Sequence, residues 1–367
     1  MTAEIAKAFI LPAVVSGVVA WIASGWVSKN GKKLGIMDDP KKHKHPKVTH
    51  TQAVPRGGGI AIFLSLAVGA ILFLPKNITV LGIMGGALIL AITGWADDRF
   101  EEKISPYVRL VLNILAALCV IGVGIGIAYI TNPAGGVFHL DTLRWCTNLW
   151  GGTHCLWLLA DIFALLWLVW MQNMVGWSSG VDGQLPGFVI MASITMALLA
   201  LRFEGDYNQW MVITLAGILA GAYAGFLPWN WFPQRIMPGY GGKSLAGFVL
   251  GTLAILSSAK VGAMLLVLGV PFVDAVLVII KRIREKRSPV WGGREHLHHM
   301  LLDLGWSKSR IAAFYWGVSA ILGLAAWQLK APAKFYTMAA IVLTLAGIIW
   351  WLQNWLTYSK QQDQDSG

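Results

Sequence analysis

The chain has 367 residues, of which 56% are hydrophobic and only 13% are charged, and its formal net charge is +11. Soluble globular domains are typically about 45–50% apolar with roughly a quarter of their residues charged, so this composition excludes an ordinary soluble domain. It indicates an integral membrane protein. The basic excess must therefore be compared first with the orientation of the loops across a membrane.

Several hydrophobic runs approach the roughly 17–25 residues that a membrane-spanning helix needs. We therefore predict an all-α, polytopic integral membrane protein with about eleven transmembrane helices. Residues 1–360 are expected to form one membrane domain, and residues 361–367 a disordered tail. No small-residue cleavage site follows the first run, so we expect no cleavable signal peptide. The predicted spans are 8–27, 57–75, 78–96, 107–130, 156–172, 185–201, 209–228, 244–258, 261–280, 311–328 and 336–356.

The Lys and Arg residues are distributed unevenly between the two sides that these spans define. One side holds 22 of the 29 basic residues. By the positive-inside rule that side is the cytoplasm, which places the N-terminus outside and the C-terminus inside. Topology thus accounts for most of the positive charge, and we expect no nucleic-acid partner. The cytoplasmic segments are 28–56, 97–109, 173–184, 229–243, 281–310 and the tail.

Two of the three cysteines fall in the one long outer loop, about residues 132–156, whereas Cys119 lies inside the fourth predicted span. An oxidising compartment favours a disulfide between Cys146 and Cys155. The sequence alone leaves a bridged pair and two free thiols equally open.

Asp97 and Asp98 are adjacent acids at the point where a long apolar run ends. Two carboxylates a few Å apart near a low dielectric repel each other unless a cation lies between them. The pair therefore indicates a metal site, and the alternative is a solvated end of a membrane helix.

Two further cytoplasmic loops carry polar clusters with glycine. Lys47, His50 and Arg56 precede a Gly-rich helix start, where free backbone N–H groups favour phosphate binding. The alternative for them is an ordinary positive-inside loop. Asn173 and Asp182 flank a glycine-punctuated break, and such polar residues are more typical of a binding pocket than of a membrane helix.

The last two clusters contain a lysine and a group of histidines. Lys243 lies in a Gly-rich turn that does not match the G-x-x-x-x-G-K-[ST] pattern and has no preceding strand, which excludes a P-loop nucleotide hydrolase. The longest cytoplasmic loop carries three histidines, which could act as metal ligands, as general acids or bases, or as donors to phosphate. They follow an acid inside a predicted membrane helix, and such acids usually mark functional sites. A structural zinc site is not favoured, because no cysteine lies on that side. The residues of this last cluster are Asp274, Arg294, His296, His298 and His299.

The order of these motifs resembles the polyprenyl-phosphate N-acetylhexosamine-1-phosphate transferases. The matching features are the acidic pair, N-x-x-x-x-x-x-G-x-D-G after the fifth span, the Gly-rich loop, P-x-x-D in the ninth span and H-x-H-H. The resemblance covers about residues 30–310. The H-x-H-H segment is most similar to the branch that uses UDP-GlcNAc, and a related branch is phospho-N-acetylmuramoyl-pentapeptide transferase.

The resemblance implies transfer of a sugar 1-phosphate, most simply GlcNAc-1-phosphate, from a UDP-sugar to undecaprenyl phosphate. The reaction would take place at the cytoplasmic face of the inner membrane, release UMP and supply cell-envelope polysaccharide synthesis. It implies Mg²⁺ as cofactor, with Mn²⁺ as the alternative. A homodimer is left open.

The resemblance also implies roles for individual residues. Asp97, Asp98 and Asp182 would hold the metal, with Asp98 as the base. Asn173 would help to hold the metal or the nucleotide. The residues that would contact the diphosphate or the sugar are Arg294, His296, His298 and His299. Those that would contact a phosphate or the uridine are Lys47, His50 and Arg56. The substrate site would be completed by Lys243 and Asp274.

The chain departs from the family pattern at three positions where acids are usual, and these are Ser179, Tyr240 and Gly293. One interpretation is a metal held by fewer carboxylates, with Lys243 offsetting phosphate charge. The alternative is a degenerate, non-catalytic relative or scaffold. A proton-coupled transporter of an anionic solute is a third hypothesis, but it predicts polar groups near the bilayer midplane and symmetric repeats, which the sequence lacks.

Overall fold

The computed structural model describes residues 2–41, 50–100, 104–132, 136–149, 152–203, 207–257, 261–288 and 293–365. Within them the chain forms a helical bundle with three small antiparallel sheets. The helices are α1 (Thr2–Ile5), α2 (Leu11–Leu34), α3 (Gly58–Phe73), α4 (Ile78–Arg99), α5 (Pro106–Ile121), α6 (Leu158–Trp177), α7 (Gln184–Ala200), α8 (Tyr207–Asn230), α9 (Gly239–Leu256), α10 (Val261–Val267), α11 (Gly269–Arg284), α12 (Leu297–Asp303), α13 (Lys308–Gln328) and α14 (Ala331–Asp365).

The strands are short and pair locally. A π-helical turn at Ala6–Ile10 joins α1 to α2, and a 3-10 turn at Leu201–Phe203 follows α7. The strands are β1 (Met37–Asp38), β2 (Val54–Pro55), β3 (Tyr129–Thr131), β4 (Val137–His139), β5 (Arg144–Leu149) and β6 (Gly152–Trp157), and they pair β1 with β2, β3 with β4 and β5 with β6.

The predicted class of fold, an all-α polytopic membrane protein, is confirmed. Seven helices in the described ranges are long and apolar enough to cross a membrane, and the bent pair α10–α11 would make eight. Three shorter apolar helices, α3, α5 and α7, accompany them. The total of eleven spans and the orientation of the termini stay predictions.

The structure differs from two of the predicted spans. The span predicted at 107–130 ends as helix at Ile121, because the chain turns through Gly124, whose φ is +84°, into β3. The span predicted at 261–280 is two helices that meet at an angle of 88°. Pro271 lies in the first turn of α11, where its missing N–H removes no helical hydrogen bond. Helix α14 extends to Asp365. Residues 366–367 lie outside the described residues, and the disordered tail at 361–367 stays a prediction.

Helix α9 is the most enclosed element and packs against α3, α4 and α6. Its residues are buried except Tyr240, Lys243 and Leu256. Glycines allow this close packing, because a Cβ atom at Gly94 of α4 would lie only 2.2 Å from the Cα of Gly241. The Gly-rich start of α9 is thereby held directly against the end of α4 that carries the acidic pair.

The loop that the sequence analysis assigns to the outer side is folded where it is described. Hairpin β5–β6 places Cys146 directly opposite Cys155, and the two sulfur atoms form a disulfide. Cys119 is a free cysteine. Of the two alternatives that the sequence left open, the structure has the bridged pair.

The disulfide predicts the outcome of thiol labelling. Without reductant, a membrane-permeant maleimide should modify only Cys119 in the denatured protein, and with reductant it should modify all three cysteines, as counted by intact mass. The Cys119→Ser variant serves as the control, since it should take up no label until it is reduced. Two labelled thiols in unreduced Cys119→Ser protein would contradict the bridge.

Candidate functional site

Asp98 lies in the last turn of α4 and is buried, with 9% of its surface exposed. Its Oδ1 accepts a hydrogen bond of 3.0 Å from the backbone N–H of Tyr240. The residue before Tyr240 must be glycine, because Gly239 has a φ of +63° and a Cβ there would lie 2.1 Å from Asp98 Oδ2. The Gly-rich turn therefore presents its backbone, and no side chain, to this carboxylate.

Asp97 points to a different partner from its neighbour. Its Oδ1 lies 2.5 Å from Nε of Arg109, which is one turn into α5. The Arg109 guanidinium lies 5.4 Å from the centre of the Tyr240 ring, and the Tyr240 hydroxyl donates to Asn113 Oδ1 at 2.9 Å. Tyr240 occupies a position where the family pattern has an acid, and its side chain is thus directed towards α5.

Sequence reasoning missed Arg109 as a partner of the acidic pair. A usable signal was present, because Ser105 caps α5 and Pro106 starts it, which places a lone basic residue one turn into an apolar helix. A charge at that depth usually has a partner nearby.

Arg56 and His50 gather around a buried acid that was not among the predicted site residues. Asp38 Oδ2 accepts from Arg56 Nη2 at 2.6 Å and from Arg56 Nε at 2.9 Å, and His50 Nε2 lies 3.7 Å away. Partial burial lowers the pKa of His50, although the Asp38 carboxylate opposes that shift. Lys47, predicted for the same loop, lies outside the described residues.

Asp182 is an ion-pair partner in the structure. Its Oδ1 accepts from Nζ of Lys308 at 3.1 Å, and its Oδ2 accepts from the backbone N–H of Gln234 at 3.2 Å. It thereby ties the break between α6 and α7 to the start of α13. Asn173, predicted beside it, donates its amide to Val169 O of its own helix at 2.7 Å. Lys308 is a second cation that sequence reasoning missed.

The three histidines are buried together at the start of α12. The rings of His296 and His298 are stacked, with their centres 5.7 Å apart, and the ring of His299 lies 4.3 Å from that of His298. Burial lowers the pKa of His298 well below its ordinary value, and the neighbouring His299 adds to the shift. His298 is therefore neutral at physiological pH.

His298 also connects the histidine segment to the break between α6 and α7. A Cβ atom at Gly180 would lie 1.8 Å from His298 Nε2, so the ring occupies the space that a side chain at position 180 would need. Arg294 extends outward instead, where its guanidinium pairs with Asp303 at 2.6 Å.

Lys243 connects the two halves of the site. Its positive charge acts electrostatically on Asp98 and also contributes to lowering the pKa of His298. Arg56 acts on Asp98 in the same way. Electrostatic interactions thus link four predicted residues that come from separate segments of the chain, and these are Asp98, Arg56, Lys243 and His298.

Asp274 lies behind the histidines. Its two carboxylate oxygens bind His296 Nδ1 and the backbone N–H of Leu297, each at 2.8 Å. With 1% of its surface exposed, it has no open face for a ligand. The predicted member of the substrate site is therefore a support for His296.

The metal site stays a prediction, and the donor atoms of the acidic pair are of the type that it requires. The oxygen atoms of Asp97 and Asp98 are the ligands that Mg²⁺ prefers, and that ion commonly takes one or two carboxylates with substrate phosphates. Among the described residues, however, no three Asp, Glu, His or Cys side chains are gathered as a metal-holding group.

The chain is similar to a known family and to several named proteins. Residues 80–258 match the family model described as glycosyl transferase family 4. A Bacillus subtilis protein named "Probable undecaprenyl-phosphate N-acetylglucosaminyl 1-phosphate transferase" is 23% identical, over 90% of this chain and 88% of that protein.

Two other relatives carry related names. A "Decaprenyl-phosphate N-acetylglucosaminephosphotransferase" of Mycolicibacterium smegmatis is 25% identical, over 92% of this chain and 87% of its own length. A "Phospho-N-acetylmuramoyl-pentapeptide-transferase" of Moorella thermoacetica is 27% identical, over 78% of this chain and 86% of its own length.

The contact between Gly180 and His298 gives a prediction about side-chain space. Gly180→Ala should displace the His298 ring, and overpacking of this kind costs about 1–3 kcal/mol. We expect a lower melting temperature in detergent and a loss of activity. Gly317→Ala is the matched control, because nothing lies within 4 Å of a Cβ there. Equal melting temperatures for the two variants would contradict the contact.

The lowered pKa of His298 gives a prediction about pH. Below its ordinary value of 6.5, the unfolded chain binds a proton at this residue that the folded chain does not bind. Stability should therefore fall as the pH decreases from about 7 through that value. His298→Gln, which cannot titrate, should show a shallower fall in melting temperature between pH 7.5 and 5.5. An identical pH dependence in both proteins would be the contrary result.

Proposed function

We propose that this chain transfers GlcNAc-1-phosphate from UDP-GlcNAc to undecaprenyl phosphate, releasing UMP. The match of residues 80–258 to the family model described as glycosyl transferase family 4 supports the proposal. The chain is a membrane-embedded glycosyl-1-phosphate transferase. The identity of the sugar, the nucleotide donor and the use of Mg²⁺, or of Mn²⁺ in its place, are parts of the proposal.

The observation that carries the proposal is the environment of Asp98. Its Oδ1 is held by the Tyr240 N–H, and among the described residues no group donates to its Oδ2. The four other buried acids of the described residues are each bound to a basic side chain at 2.5–3.1 Å, and these are Asp38, Asp97, Asp182 and Asp274. Asp98 is therefore the acid whose second oxygen is available to a substrate.

Cations around Asp98 suit a reaction between two phosphorylated substrates. Arg56 and Lys243 both act on Asp98, and they come from the first loop and from the Gly-rich turn. The lipid phosphate and the nucleotide diphosphate repel each other, and fixed positive charges lower that repulsion when the reacting atoms approach.

In the proposed reaction an oxygen of the lipid phosphate attacks the β-phosphorus of the UDP-sugar. The bond from that phosphorus to the oxygen bridging the two phosphates breaks, and its electrons leave with UMP. Asp98 Oδ2 takes up the proton of a protonated lipid phosphate, which increases the nucleophilicity of the attacking oxygen. A bound Mg²⁺, held by Asp97 and Asp98, would supply further positive charge to the phosphate oxygens.

The proposed location of the site is the cytoplasmic face of the inner membrane. The loops that carry the site belong to the side that holds 22 of the 29 Lys and Arg residues. The disulfide Cys146–Cys155 lies in the loop assigned to the opposite side, and disulfides persist in oxidising compartments. Both observations support the same orientation.

Asp98→Asn tests the proposed function. Replacing the carboxylate by an amide keeps the acceptor for the Tyr240 N–H but removes the base, and loss of a general base lowers turnover about 10²–10⁴-fold. We expect this loss in an assay of radiolabelled UDP-GlcNAc with undecaprenyl phosphate and Mg²⁺ in detergent, with product lipid identified by mass.

The control is Asp141→Asn, which changes an exposed acid next to the outer hairpins and should leave turnover unchanged. Full turnover of Asp98→Asn would refute the assignment of the base. A wild-type protein that makes no product from any UDP-sugar would instead favour the degenerate relative or scaffold.

A further inference from the structure

Asp274 is a buried acid that a substrate cannot reach directly. It lies on α11, shortly after the 88° bend that separates this helix from α10. Only 1% of its surface is exposed. A buried carboxylate is costly unless hydrogen bonds compensate for the loss of water, so the groups that bind it indicate its role.

Both oxygens of Asp274 bind the same short segment. Oδ2 lies 2.8 Å from Nδ1 of His296, and Oδ1 accepts at 2.8 Å from the backbone N–H of Leu297, the first residue of α12. One carboxylate thus fixes a side chain and caps the helix that follows it. The position of the His296 ring is therefore set from α11, 22 residues away in the chain.

The contact with Asp274 determines which nitrogen of His296 remains for a ligand. An ionised carboxylate only accepts hydrogen bonds, so Nδ1 must carry a proton. Among the described residues no protein group binds Nε2, although only 5% of the residue is exposed. The ring is stacked on that of His298, near which Lys243 acts. Of the two ring nitrogens of His296, Nε2 is thus the one that can meet a substrate.

We propose that Asp274 is a positioning residue, which holds His296 as the tautomer protonated on Nδ1 and leaves Nε2 as the atom that contacts the substrate. This inference rests on the proposed function, because it gives one residue of that site its task. The alternative is a purely structural role, in which Asp274 caps α12 and its contact with His296 has no part in the reaction.

Asp274→Asn separates these two roles. The amide oxygen can still accept from the Leu297 N–H, so the cap is retained. The amide NH₂ takes the place of Oδ2 and donates to Nδ1, which forces a neutral His296 to carry its proton on Nε2. Buried partners that orient a functional histidine typically contribute about 10–100-fold to activity, and we expect a loss of that size in kcat.

A double-mutant cycle shows whether the loss passes through His296. In a His296→Asn background, Asp274→Asn should cause little further loss, because the ring that it orients is absent. Glu295→Gln is the matched comparison, since Glu295 neighbours His296 but pairs with Arg282 at 2.8 Å. Its effect should add to that of His296→Asn.

The tautomer itself can be read without turnover. ¹⁵N-histidine NMR of the protein in nanodiscs, with the His296 signals identified by their loss in His296→Asn, should show Nδ1 protonated in the wild type and Nε2 protonated in Asp274→Asn. A wild-type ring protonated only on Nε2 would overturn the inference even if Asp274→Asn failed to fold.

The kinetic outcomes distinguish this inference from the proposed function. Wild-type turnover with additive effects of Asp274→Asn and His296→Asn would refute the positioning role alone. Absence of turnover in the wild type would refute the proposed function, and the NMR result would still decide whether Asp274 sets the tautomer.

Discussion

The site depends on the close approach of helix backbones that only glycine permits. Gly94 of α4 lies against Gly241 of α9, and a Cβ at Gly59 of α3 would lie 2.7 Å from the backbone nitrogen of Gly242. Because three helices meet at this point without side chains between them, the start of α9 reaches the acidic pair. The hydrogen bond from the Tyr240 N–H to Asp98 is a direct result of this packing.

Charge pairing explains the remaining geometry. A buried charge without a partner destabilises the folded state by several kcal/mol, so the acids inside this bundle are expected to lie beside basic side chains. Asp38 pairs with Arg56, Asp97 with Arg109 and Asp182 with Lys308. The first pair joins the two ends of the loop between β1 and α3. The second joins α4 to α5, and the third joins the break after α6 to the start of α13. The ion pairs therefore hold together the segments that surround Asp98.

Much of this arrangement follows from sequence reasoning. The apolar runs predict the membrane class, and the polar clusters at Asp98, Arg56, Lys243 and His298 meet in the structure. Pairing between particular side chains could not be predicted, because Lys308 and Asp182 are 126 residues apart and no local pattern relates them. The bend between α10 and α11 was also missed. The residues on both sides of it are apolar, so the hydropathy of the sequence does not change at the point where the helix breaks.

The positions that lack the expected acids have local structural roles. Ser179 donates its hydroxyl to Gly176 O at 2.6 Å, which closes the turn between α6 and α7. Tyr240 bonds to Asn113. At Gly293 a Cβ would lie 3.0 Å from both Arg282 Nη2 and Glu295 Oε2, so the ion pair of these two residues occupies the space beside it.

These replacements change the balance of charge in the site. Three carboxylates are absent compared with the family pattern, while Arg56 and Lys243 remain beside Asp98. The positive potential at Asp98 is thus higher than it would be in a site that also contained those three carboxylates. Fixed cations can supply part of the charge that a site with more acids obtains from bound metal, because both act on phosphate oxygens by the same Coulomb attraction. A site with fewer acids is therefore compatible with phosphoryl transfer as long as Asp98 keeps its open oxygen.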